Sequence, residues 1–487
     1  NECTISGGVW TMDSKSRSRA LRRELEGCFF RGNLPALIVS VVCMLLLTGV
    51  NLVTAWLMQR LVDVVVSSGS GLGSILLIFA ASFAVFIVAY DLQRYACSAF
   101  VRRAVVQYKN FAFSGILERS VSFVSKENSA KFISLLTNDV VSIETNYLSN
   151  IFTLVMELAG FAGALVMMLW YSPILTVAAV VLALLPVAAS LVCGGKLAEC
   201  EKTVSEKNES YVEAVKESFA GFSVIKSFKA EASVRGMFED VSGSLEDAKY
   251  NRRKTNGLVN MLAGGAGFLA QFGVFIAAAL LAGNGYTISA GVAVAFLQLM
   301  NFVISPISTV PPILANRKAS IELMDKLAGL MTEDGETKGE NVPAELKEGI
   351  AIKNLCFAYT EGEPVLRNID LSVPAGGSLA IVGPSGSGKS TLLQLLMGHH
   401  RGYEGSISID STELRDISPA SLYELLSVIQ QEVFIFNSSI EKNVTMFGDF
   451  APERVEAALE GAGLSALISE RGLDFVCGEN GQNLSGG

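Results

Sequence analysis

Charge is what this sequence has least of. Asp, Glu, Lys and Arg supply 17% of it, against roughly 25% in an average soluble chain, and mean hydropathy is +0.43. So few charges among so many apolar residues exclude a disordered chain and an ordinary soluble enzyme. Basic residues are outnumbered 38 to 47, leaving a net charge of −9, which excludes a basic nucleic-acid binder; no nucleic acid is expected as a partner. The eight cysteines, Cys3, Cys28, Cys43, Cys97, Cys193, Cys200, Cys356 and Cys477, form no C-x-x-C pair. They are expected as scattered reduced thiols rather than metal ligands or disulfides. No secretory signal stands out, because the first apolar run is too long for one and others follow. Only two histidines occur, side by side at His399 and His400. The chain opens at Asn1, and a basic stretch follows Met12, which is expected to be the true start.

What is present is long apolar sequence. Six segments, at about 34–58, 73–97, 147–170, 173–195, 257–282 and 287–313, are near or above the roughly 20 residues that cross a bilayer as a helix. Basic residues decide their direction. Six precede the first span (Lys15, Arg17, Arg19, Arg22, Arg23, Arg31), and the connections 98–146 and 196–256 are rich in Lys and Arg. The alternate connections carry almost none, so the positive-inside pattern puts both termini in the cytoplasm, with a cell-membrane location. Residues 16–31 interleave basic residues with Leu21, Leu25, Phe29 and Phe30, which reads as an amphipathic helix on the inner leaflet. Glu157 falls inside the third span. A charge there is costly in hydrocarbon, so it either hydrogen-bonds a neighbouring helix or belongs to a substrate pathway. Gln271, Gln298 and Asn301 are weaker candidates of the same kind.

Past Leu314 the composition changes. An acidic, Gly/Pro-containing stretch, 332–346, reads as a linker, and a soluble α/β pattern follows from Gly349. The domain organisation expected is a leader and interfacial helix (1–33), a six-span membrane domain (34–330), a linker (331–348) and a P-loop domain (349–487).

Gly383-Pro384-Ser385-Gly386-Ser387-Gly388-Lys389-Ser390-Thr391 fits G-x-x-x-x-G-K-[ST]. The run 378–382 before it is expected as a buried strand, and 392–397 after it as helix. Glycines let successive N–H groups turn toward phosphates, the helix N-terminus adds partial positive charge, Lys389 supplies a point charge, and the Ser390 hydroxyl can ligate Mg²⁺. ATP and Mg²⁺ are therefore the expected ligands.

These features resemble an ATP-binding cassette (ABC) exporter half-transporter, with its membrane domain ahead of its cassette. Leu484-Ser485-Gly486-Gly487 is similar to the family's signature motif, preceded by Gly478–Gly481 in place of the exporter X-loop. Gln431 falls at the Q-loop position, with Gln430 adjacent as the alternative, and Tyr359 matches the A-loop aromatic. Residues 136–139 and 217–228 resemble the cytoplasmic-loop motifs, which implies short coupling helices near 120–128 and 213–222. The resemblance implies an all-α six-helix membrane domain followed by an α/β P-loop cassette. It implies a second half-transporter, identical or different, whose signature completes each ATP site. Tyr359 would stack on adenine, residues 383–391 hold phosphates, and Ser390 and Gln431 hold Mg²⁺. The family's Walker B Glu and switch His have no counterpart up to Gly487, so the catalytic residues are expected beyond it. The cassette is expected to be incomplete, and these 487 residues to bind nucleotide weakly without turning it over. His399 and His400 come too early for the switch and are expected as exposed polar residues. The resemblance implies ATP-driven export of a small molecule, lipid or peptide, with import by a siderophore- or vitamin-type transporter of the same fold and ATP-driven sensing without net transport as the alternatives.

Overall fold

The computed structural model describes residues 14–67, 71–126, 129–332, 339–360, 362–429 and 433–484. It divides into two compact units, Asn1–Gly335 and Glu336–Gly487.

The first unit is helical among its described residues. Its elements are α1 (Ser14–Phe30), α2 (Leu34–Ser67), α3 (Leu72–Leu117), α4 (Val121–Lys126), α5 (Ser129–Leu136), α6 (Asn138–Ile143), a π-helical turn at Glu144–Ser149, and α7 (Asn150–Tyr171). Then come α8 (Pro173–Ala220), α9 (Phe222–Ser227), α10 (Glu231–Gly283) and α11 (Ala290–Leu330). Each expected span falls largely on one helix, the third beginning in the π-helical turn and the sixth three residues before α11. Five stretches, Leu34–Ser67, Leu72–Leu117, Lys131–Tyr171, Glu231–Gly283 and Ala290–Leu330, are long and apolar enough to cross a membrane, and Pro173–Ala188 is a shorter apolar run. The helices run far past the bilayer thickness, so α3, α8 and α10 each carry their polar continuation without a break.

Small residues set the helix spacing. Gly160 of α7 faces the Phe302 ring of α11, and a Cβ there would lie 2.9 Å from it. Gly291 sits against α2 more tightly still, with a Cβ position 2.2 Å from the Gln59 carbonyl oxygen. Asp63 accepts the Gly291 N–H at 3.0 Å and a Gln59 amide hydrogen bond at 2.6 Å. The carboxylate thus ties the end of α2 to the N-terminus of α11, where the helix dipole favours negative charge.

Two expectations for this unit need correction. Helix α1 forms, but its apolar stripe packs on protein: Leu21, Leu25, Cys28 and Phe29 are all fully buried. The Phe29 ring stacks on Tyr108 of α3 at 5.4 Å, and Arg22 pairs with Asp325 of α11 at 3.1 Å. The stripe at 21, 25, 28 and 29 is one helix face, and α3 and α11 extend beyond the bilayer to meet it. Of the two short helices, α4 forms where expected. The second is displaced: residues 213–220 complete α8, and the separate helix is α9, beginning at Phe222 after the break at Gly221.

In the second unit, β1 (Gly349–Ala358), β2 (Pro364–Pro374), α12 (Lys389–Leu396), β3 (Glu404–Ile409) and β4 (Thr412–Glu413) form the first part. The helices α13 (Pro419–Leu425), α14 (Ile440–Thr445), α15 (Pro452–Gly461) and α16 (Ser465–Arg471) follow. The sheet is antiparallel, in the order β2-β1-β3-β4. Ile352 pairs with Leu371 on one side and Ile407 on the other. Alternate residues Ile352, Ile407 and Ile409 face Leu392, Leu395 and Leu422 in one apolar cluster. A second cluster gathers Ile440, Val455, Leu459 and Cys477.

Residues 339–348 are tied onto the sheet unit. Glu340 bridges to Ile417, and the Asp410 carboxylate accepts N–H bonds from Lys347, Glu348 and Gly349 at 2.7–3.2 Å. Those bonds hold the Asp410 carboxyl below its ordinary range, because they favour its charged form. The run 378–382 is not a strand, contrary to expectation. A strand needs a ladder partner, and none of the described segments pairs with it. Leu379, Ile381 and Val382 are exposed, Val382 to 88%.

Candidate functional site: a phosphate cradle and its aromatic platform

The cradle is built by backbone conformation. Gly386 and Gly388 both take left-handed φ, +80° and +86°, a region that side-chain-bearing residues enter only at a cost of about 1–2 kcal/mol. Gly388 caps α12, accepting the Leu392 N–H at 2.9 Å, and turns the loop so that the helix starts at Lys389. A Cβ on Gly388 would stand 2.7 Å from Leu366 of β2, so this turn is also pressed against the sheet.

Lys389 folds back over the loop. Its ammonium donates to the carbonyl oxygens of Gly383 at 2.9 Å and Pro384 at 2.8 Å, and to the Ser387 hydroxyl at 3.4 Å. Among the described residues no carboxylate lies within ion-pair distance of it. A cation held only by neutral acceptors, at a helix N-terminus, inside a loop of left-handed glycines, fits a phosphate chain. Ser385, Gly386 and Ser390 are exposed around it, whereas Thr391 is buried beneath. Ser390 is thereby open to a metal bound with the phosphates, while Thr391 serves the helix.

Tyr359 stands beside the same helix. Its hydroxyl lies 2.8 Å from Gln394 Oε1 and 3.2 Å from Thr391 Oγ1 of α12. The phenol is thus anchored by its tip while the residue as a whole stays 54% exposed. Phe357 and His400 buttress the ring edge-on, with centroids at 5.0 and 5.4 Å. The histidines therefore differ from the sequence expectation: both are half-buried, and burial holds the His399 imidazole below its ordinary pKa. Their burial follows from the chain turning back under β1 after α12, which spacing alone did not reveal. Gln394 and His400 are the two site residues that sequence reasoning missed. Gln394 lies one turn beyond Ser390 and Thr391, so helical spacing was the available signal.

Of the remaining expected residues, Gln431, Ser485, Gly486 and Gly487 lie outside the described residues. The stretch flanking Gln431 ends in an anchor: Asn443 of α14 accepts the Phe436 N–H at 2.8 Å and returns a bond to the Phe436 carbonyl at 3.0 Å. Leu484 packs against the second apolar cluster. The turn before it is held by Asn483, whose side chain donates to the Val476 carbonyl at 3.1 Å. No group of acidic, His or Cys side chains able to hold a metal occurs among the described residues.

In the membrane unit, Glu157 accepts a hydrogen bond from the Ser305 hydroxyl of α11 at 2.9 Å, and Gln271 of α10 donates to Asn301 of α11 at 2.8 Å. Gln298 is half-buried on the same helix.

Comparison with known proteins agrees with this arrangement. Residues 37–307 match the family of the ABC transporter transmembrane region, and residues 366–487 match the ABC transporter family. An uncharacterized ABC transporter ATP-binding protein, YfiC of Bacillus subtilis, is 25% identical over 97% of this chain and 80% of its own length. An ATP-dependent lipid A-core flippase of Photobacterium profundum is 27% identical over 79% of this chain and 67% of its own. Among solved structures, a bacterial Atm1-family ABC exporter with ATP bound superposes with a TM-score of 0.74, at 19% identity, covering 93% of this chain and 81% of that one. With a cradle of this shape in one unit and apolar helices of exporter-type fold in the other, the chain belongs to the ABC transporters.

Proposed function

We propose that this chain is one half of a dimeric exporter that uses ATP to drive alternating access. The carrying observation is Lys389 folded over a left-handed glycine turn at a helix N-terminus, on the same chain as five membrane-length apolar helices and a sixth, shorter apolar run. ATP would lie with its base on the Tyr359 ring and its phosphates against the N–H groups of residues 386–391. Lys389 would exchange its carbonyl partners for phosphate oxygens, a stronger charge-assisted contact. Bound Mg²⁺ would offset phosphate charge, held by Ser390 and Gln431. The signature residues Leu484, Ser485, Gly486 and Gly487 would face the ATP of the second half-transporter, so that nucleotide joins the two cassettes and hydrolysis parts them.

Force would reach the spans through α4 and α9. At the tip of the α8–α10 pair, an apolar cavity of about 420 Å³ is lined by Tyr211, Phe219, Phe222 and Phe238. Phe219 and Phe222 are largely exposed there. Exposed aromatic residues around a cavity mark a docking surface, and a cassette is the proposed occupant. A push at this tip is carried along the unbroken helices α8 and α10 into the membrane, where two packings of the spans alternate. The protein would sit in the cell membrane with both termini and the cassette in the cytoplasm, a reading supported by the basic residues of the inner connections. The test is Lys389→Ala in the full-length protein in vesicles. ATP-dependent substrate movement should disappear, and undiminished transport would refute the proposal.

A further inference from the structure

Inside the spans, charge is almost absent. Asp91 and Arg94, near the inner end of the apolar run of α3, pair with each other at 2.8 Å. Glu157 has no basic side chain within ion-pair distance among the described residues. Its Oε1 accepts from Ser305, and Oε2 takes no hydrogen bond there.

Depth can be counted from the helix ends at 1.5 Å per residue. Glu157 lies about 21 Å inward from Tyr171, and Ser305 about 22 Å inward from Ala290. Gln271 and Asn301 meet about 16–18 Å inward from their own outer ends. Two polar pairs are therefore stacked one turn apart along α11, at and just below mid-membrane. Asn301 and Ser305 are four residues apart and share one face of α11. Asn301 is exposed and Gln271 is half-buried beside it. Amides facing hydrocarbon are costly, so this face meets water rather than lipid tails. It is also rich in acceptors. Pro306 has no N–H to give the Phe302 carbonyl, and Glu157 adds a carboxylate, while no Lys or Arg lies at this depth among the described residues.

We propose that the Asn301–Ser305 face of α11 is a wall of the transport path, and that Glu157 makes it select amphiphiles bearing a positive charge. This rests on the exporter reading, but its test does not need transport. Tetraphenylphosphonium and tetraphenylborate have nearly the same size and shape and opposite charge. Equilibrium dialysis of each against the purified full-length protein, without nucleotide, measures the preference directly. The cation should bind roughly tenfold or more tightly than the anion, the least expected of an opposite-charge contact. Glu157→Gln keeps an acceptor for Ser305 and the side-chain volume but removes the charge, so it should abolish the preference. Ser305→Ala removes the hydrogen bond and leaves the charge, so it should retain the preference. Equal binding of the two ions by the unaltered protein, or a preference lost with Ser305 and kept in Glu157→Gln, overturns the proposal. Failure of Lys389-dependent transport would instead count against the exporter reading.

Discussion

Alanine at Gly388 and at Gly386 should have unequal effects, although both glycines belong to one motif. Both take left-handed φ, so either substitution costs about 1–2 kcal/mol in conformation. At Gly386 nothing lies within 4 Å of the added Cβ, and the conformational cost is the whole cost. At Gly388 the Cβ falls 2.7 Å from Leu366 Cδ2 and 3.4 Å from the Val365 carbonyl oxygen. Leu366 is itself buried in the sheet core, so its side chain has little room to yield. Overpacking of this kind adds about 1–3 kcal/mol, for a sum of about 2–5 kcal/mol. Where the loop gives way rather than the sheet, the N–H groups no longer converge and the loss appears in nucleotide affinity. At about 1.4 kcal/mol per tenfold, Gly386→Ala should weaken binding by about 5–30-fold. Gly388→Ala should weaken it by about 30-fold to several thousandfold by the same conversion. Titration of a fluorescent ATP analogue into the full-length variants measures both. Equal losses, or the greater loss at Gly386, would refute the packing argument.

Other parts of the structure give sharper single tests. Tyr359→Phe keeps a ring but frees it from Gln394 and Thr391, so nucleotide affinity should fall by a few-fold, one neutral hydrogen bond being about 0.5–1.5 kcal/mol. Tyr359→Ala should lose more in the same titration. Asp410 has its carboxyl held below the ordinary value, so its stabilising effect is present above the unfolded pKa, about 3.9, and lost as pH falls through the lower folded value. Thermal unfolding of wild type and Asp410→Ala should therefore differ near neutral pH and converge in acid. Gly291→Ala pushes a Cβ to 2.2 Å from the Gln59 carbonyl and forces α11 off Asp63. The thermal midpoint in detergent should drop, by an amount reflecting about 1–3 kcal/mol of overpacking, whereas Gly283→Ala, with open space around it, should not lower it.

The apolar helices were legible because a bilayer-length apolar run, which five of them carry, has few alternatives. The cradle was legible because phosphate binding fixes both glycine positions and lysine spacing. Other features depend on partners that lie far off in the chain. The stripe of α1 is identical whether it meets lipid or protein, and only the extension of α3 and α11 past the membrane decides the matter. Residues 378–382 have strand composition, yet composition supplies no ladder partner. The second short helix was misplaced because the break falls at Gly221, inside a stretch that is otherwise uniformly helical. From its place in the third span, Glu157 is either interhelical or pathway-facing. The structure supplies the Ser305 bond and leaves its second oxygen open among the described residues, so the two readings are compatible.

The central claim is that nucleotide bound at Lys389 drives outward movement through the helical unit. Inside-out membrane vesicles carrying the full-length protein test it most directly, with a labelled amphiphilic cation outside and ATP added. The account predicts ATP-dependent accumulation in the lumen that is lost in Lys389→Ala. ATP-dependent depletion of preloaded vesicles would show import instead, and no ATP-dependent movement of any substrate tried would contradict the account.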